Sequence, residues 1–66
     1  MEDMTPYENL ANAIVLFAVK DYRRSSSERT MEEIERFFRS NWFRVLTNID
    51  GEWLIKQLRK EKAYDR

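Results

Sequence analysis

Arg36, Arg39 and Arg44 alternate with Phe37, Phe38, Trp42 and Phe43 in one short stretch. A guanidinium presents a planar fork of donors that grips a phosphate or carboxylate in bidentate fashion. Arginine among aromatics is also a common composition of protein-binding surfaces. Two chemistries follow. Arg36, Arg39 and Arg44 could hold an anionic nucleotide between two protomers, or the same stretch could recognise a protein. Arg36 and Arg39 have an ordinary alternative, because Glu32–Arg36 and Glu35–Arg39 are i,i+4 pairs in the favourable orientation. Arg44 has no acid three or four residues before it and is the better candidate for a partner contact. Phe37, Phe38 and Trp42 keep helical spacing and are expected in the core. Phe43 and Trp53 fall off the apolar faces and are expected as exposed anchors, so the partner-binding set is Phe43, Arg44 and Trp53.

Catalysis finds less support. The chain has neither His nor Cys, so the common nucleophile–base pairs and the usual zinc ligands are missing. Ser25, Ser26 and Ser27 have no partner base in sequence and read as a turn. Asp50 and Glu52 read as a helix cap and a first-turn charge rather than a carboxylate pair. Glu32, Glu33 and Glu35 resemble an acidic metal patch, but such neighbours on a helix do not converge. They are expected on a solvated face. No enzyme activity, metal or cofactor is expected.

The elements that must position these residues are helices. One Gly and one Pro in 66 residues leave little punctuation for a sheet. Thr5-Pro6-Tyr7-Glu8 is a start signal, with Thr5 as N-cap, Pro6 at the first helical position and Glu8 closing a capping box. The first helix is expected over about 6–24. Its stripe is Tyr7, Leu10, Ala11, Ile14, Phe17, Ala18 and Tyr22, with Asp21 at the end, paired to an arginine. Leu16 and Val19 fall outside the stripe, beside Asn9 and Asn12. After a polar connector, Ser25 to Arg29, Thr30-Met31-Glu32-Glu33 repeats the capping box. A second helix is expected over about 31–46, with Met31, Ile34, Phe37, Phe38, Trp42, Val45 and Leu46 on one face. A break near Ser40-Asn41, with Ser40 capping a short extra helix, is the alternative. Asp50 caps a last helix over about 51–62. Leu54, Ile55 and Leu58 form its apolar face, Lys56, Arg59 and Lys60 point away, and the tail from Ala63 frays.

The fold is therefore read as all-α: one domain over 1–66, a bundle of three helices and a possible short fourth, with the first helix against the aromatic face of the second. A chain this short buries only about 60% of its unfolded surface. Without disulfides or the usual zinc sites, association is the remaining reinforcement. The apolar run Ala13-Ile14-Val15-Leu16-Phe17-Ala18-Val19 is more than one stripe needs. A homodimer is expected, with Leu16 and Val19 at the shared surface. Twelve basic and twelve acidic residues balance to zero. That argues against a nucleic-acid or membrane-surface role, although Lys56, Arg59 and Lys60 could face a groove in a nucleic-acid-binding regulator. No run reaches the roughly 18 apolar residues of a membrane span. Met1-Glu2-Asp3-Met4 lacks the basic start of a secretory signal, so an intracellular protein is expected.

Leu10-Ala11-Asn12-Ala13-Ile14-Val15-Leu16 with Lys20-Asp21-Tyr22-Arg23 forms a distinctive pattern. It continues in Glu33 to Phe43, then Leu46-Thr47, Asp50-Gly51-Glu52 and Leu54-Ile55. The pattern resembles a group of short, uncharacterised proteins carried by phages and other mobile elements of Firmicutes. This chain departs from that group in a shorter connector, Ser25 to Arg29. The resemblance implies a setting in the bacterial cytoplasm and an accessory protein that binds and inhibits a bacterial host protein, anti-defence proteins being one such class. That is analogy of origin rather than deduction from residues.

Overall fold

The computed structural model describes residues 6–64, with side chains from Glu8 onward. Four helices follow in chain order: α1 (Pro6–Arg24), α2 (Glu28–Phe38), α3 (Asn41–Leu46) and α4 (Gly51–Tyr64). No strand occurs among the described residues. The predicted Thr5 cap, the Tyr7 side chain and the last two residues of the tail lie outside them.

Each helix end has a local chemical cause. Pro6 opens α1, where its missing N–H costs nothing. Arg23 and Arg24 sit in its last turn, beside the negative end of the dipole. Ser25 Oγ accepts from the Ser27 N–H at 3.1 Å. Ser27, in extended conformation, then caps α2 by accepting from the Thr30 N–H at 3.2 Å. Thr30 is thus the capped residue and not the cap, and α2 begins three residues before the expected position.

Ser40 ends one helix and starts the next. Its hydroxyl donates to the Phe37 carbonyl at 2.6 Å and accepts from the Phe43 N–H at 3.2 Å. The expected alternative, a break with Ser40 capping a short helix, is the one observed, and the continuous 31–46 helix is not. Asp50 accepts from the Glu52 N–H at 3.0 Å and starts α4 as expected. That helix runs through Tyr64 instead of fraying at Ala63. Gly51 sits against the end of α2, where a Cβ would lie 2.9 Å from the Phe38 carbonyl carbon and nearer still to its oxygen. Only glycine allows the two backbones to approach this closely.

The break at Ser40 resets the phase of everything after it. Phe43 and Leu46 turn inward, while Trp42 and Val45 turn out. Phe43 is 0% exposed and Trp42 57%, the reverse of the expectation that placed Trp42 in the core and Phe43 at the surface. Phe43 meets Phe38 at 5.4 Å and Phe37 at 5.6 Å between ring centroids, both edge-to-face. Tyr22 joins Phe38 at 6.4 Å, so α1 does pack on the aromatic face of α2. Ala11, Val15, Ile55 and Leu58 complete the core with Leu46.

On α1 the buried face is rotated from the expected stripe. Val15 is buried and Val19 packs against the core, whereas Leu10 and Phe17 are exposed. Seven consecutive apolar residues leave the choice of inward face to tertiary packing, which here centres on Ala11, Val15 and Tyr22. Asp21 is exposed, and among the described residues no arginine lies within ion-pair distance of it.

Candidate functional site

The most concentrated polar chemistry lies under α4. Glu35, 2% exposed, is the buried charged residue of the described core. It accepts from the Tyr22 hydroxyl at 2.5 Å and from Arg59 Nε and a terminal guanidinium nitrogen at 2.9 and 2.7 Å. Glu35 is therefore not on a solvated face as expected, whereas Arg59 is exposed as expected and reaches Glu35 from the surface. Glu35 is four residues after Met31 and three before Phe38, which puts it in the apolar face of α2. That spacing was the available signal. Arg59 extends along the bundle to neutralise it, because a buried carboxylate without a partner is costly.

Every member of this cluster is hydrogen-bonded within the chain, beside a cavity of about 250 Å³ lined by Tyr22, Glu28, Glu35, Arg59 and Lys62. Hydrogen bonds from the Arg59 guanidinium, the largest effect, hold the Glu35 carboxyl below its usual range, against the opposing effect of burial. Such a carboxylate is a poor proton acceptor near neutral pH. Burial first, and then the Glu35 carboxylate, push the Tyr22 phenol up to about 12, so it stays protonated. Beside it, Lys62 Nζ donates to the carbonyls of Ser25 at 2.7 Å and Arg23 at 3.3 Å, satisfying the open end of α1. Arg23 meets Glu61 through two bonds of 2.9 and 3.1 Å. The C-terminal ends of α1 and α4 are tied together by these contacts.

The arginines that could serve an anion do not converge as a set. Arg39 and Arg44 line one cavity of about 440 Å³ where α2, α3 and α4 meet, together with Asp50 and Glu52. Arg36 does not line it. Arg39 Nε already donates to Glu52 at 2.6 Å, in place of the expected Glu35, and that bond raises the Arg39 pKa further above its ordinary value. Arg44 is exposed, with no acid in ion-pair range among the described residues. Trp53, 54% exposed as expected, lines an adjoining cavity with Asp50, Glu52 and Lys56. The two cavities share Asp50 and Glu52, so Arg44 and Trp53 stand at the same end of α4. Phe43 is buried and leaves the predicted contact set, while Trp42 is the exposed aromatic of α3.

Apolar surface remains uncovered elsewhere. Leu10, Leu16 and Phe17 on α1, Trp42 and Val45 on α3, and Ile49 are exposed. Of the two residues proposed for a shared surface, Leu16 is open and Val19 is turned toward the core. Between α1 and α2 runs a groove of about 360 Å³, lined by Ile14, Phe17, Ala18, Ile34 and Phe37, with Asp21 and Glu33 at its edge. Among the described residues no helix is long and apolar enough to cross a membrane. No family model, curated protein or solved structure matches the chain.

Proposed function

We propose that this chain is a non-enzymatic accessory protein of phage or mobile-element type. It binds and inhibits a bacterial host protein in the cytoplasm, anti-defence being one such role, and it works as a homodimer. The observation that carries the reading is the division of labour among its side chains. Most of the closely paired ionic groups are committed to partners within the chain, buried Glu35 with Arg59 and Tyr22, and at the surface Arg39 with Glu52 and Arg23 with Glu61. The large apolar groups that lie outward have nothing to cover them within one chain. Large exposed aromatics are typical anchors of interaction sites. Arg44 and Trp53 supply the host-protein contact, and Leu16 contributes to the surface between protomers. The resemblance to small mobile-element proteins supports the bacterial setting.

The double variant Arg44→Ala with Trp53→Ala tests the contact. Both side chains are exposed, so it is expected to melt cooperatively within about 1 kcal/mol of the parent. Captured from a bacterial lysate, it loses the protein that the parent chain retains. Equal capture by both would refute these residues as the contact, and loss of cooperative melting would show that they belong to the core.

A further inference from the structure

We propose that the outer face of α4 and the groove between α1 and α2 are two halves of one contact between copies of this chain. The inference rests on the self-association proposed above and assigns it two surfaces beyond Leu16. Lys56, Lys60 and Tyr64 follow one another at steps of four residues along α4 and form a single stripe next to Trp53, which belongs to the host-protein contact. All three are exposed, Tyr64 at 88%. The other charges nearby are engaged: Arg59 turns in to Glu35, Glu61 pairs with Arg23 and Glu52 with Arg39. Lys56 and Lys60 are left with no acid in ion-pair range among the described residues. The result is an aromatic and basic stripe.

The groove has the opposite character. Its walls are apolar and its edge carries Asp21 and Glu33. Glu33 has only a loose pair with Arg29 at 3.6 Å, and Asp21 has no cation in range among the described residues. Lysine stems can lie along apolar walls while their ammonium groups reach the carboxylates. Both surfaces are open in one chain, so a second copy, with its own stripe and groove, supplies what each lacks. The contact joins unlike patches and therefore closes into a ring or pair, or extends head to tail.

Charge exchange tests this on the full chain without touching the core. Two variants are made, Asp21→Lys and the double variant Lys56→Glu with Lys60→Glu, and circular dichroism confirms that each remains helical. Sedimentation is then followed across concentration. Each variant alone should associate at least about tenfold more weakly than the parent, because like charges now face each other. An equimolar mixture should recover association, since one contact has its charges exchanged and the other is native. Unchanged association of the single variants, or a mixture that recovers nothing, overturns the assignment of surfaces while self-association stands. A parent chain that stays single at every concentration overturns both.

Discussion

Phe43→Ala is expected to cost about 3–5 kcal/mol, the range for removing a buried phenylalanine ring. A domain of this size has a total stability of only about 3–10 kcal/mol. The variant should therefore be largely unfolded, or melt far below the parent. The cause is specific. The ring is fully buried and is the partner of both Phe37 and Phe38 in the aromatic cluster. The neighbouring change Trp42→Ala, on a half-exposed side chain, should cost less than about 1 kcal/mol. Urea titration followed by circular dichroism measures both. Equal losses, or a larger loss at Trp42, would mean that the helix runs through Ser40 without a break.

Arg59→Ala has the second largest expected effect, and its pH dependence is more telling than its size. In the parent, Arg59 holds the Glu35 carboxyl below its usual range. A carboxyl depressed in the folded state contributes stability above its unfolded value, about 4.3. That contribution is lost as pH falls through the lower folded value. In the variant the largest lowering influence is gone, and burial, which raises the carboxyl, is opposed only by the Tyr22 hydroxyl bond and the more distant Arg39. The folded value moves up, and the stability that ionised Glu35 contributed above about 4.3 shrinks. At neutral pH the loss is about 2–3 kcal/mol, on the low side for a broken buried pair because the guanidinium itself is more than half exposed and screened. Urea midpoints at pH 3 and pH 5, which bracket the unfolded value, should rise steeply with pH in the parent and much less in the variant. A parallel rise in both would show that Glu35 is not the buried partner of Arg59.

What could be read from the residues alone was set by short-range chemistry. The Pro6 start, the Asp50 cap, the inward face of α4 and the Ser40 break as an alternative all follow from side chains within a turn of where they act. The failures share a different origin. Thr30 and Ser27 are both competent caps, and the closed serine turn decides between them. The apolar run on α1 offers more than one inward face, and contacts with the rest of the bundle choose the one with Val15. Trp42 and Phe43 exchange places because the two-residue break at Arg39 and Ser40 changes the phase of all that follows. The spacing of Glu35 from Met31 and Phe38 signals its burial, but Arg59, which neutralises it, lies far along the chain. No local pattern encodes that partner.

The candidate contact was legible in part for the same reason. Arg44 and Trp53 lie outside the packed faces under either phase, so their exposure survives the break. Phe43 depended on that phase and moved inward. The outer stripe of α4 was partly visible as basic residues pointing away. Tyr64 joins it because α4 runs past the expected end, and the removal of Arg59 from it emerges only once the ion pairs are assigned.

The most direct test of the account is the mass of the full chain in solution, measured by sedimentation or light scattering from nanomolar to high micromolar concentration. Uncovered apolar surface on α1, α3 and α4 predicts a mass that rises with concentration to at least twice that of one chain. A cooperatively folded single chain across the whole range would contradict it.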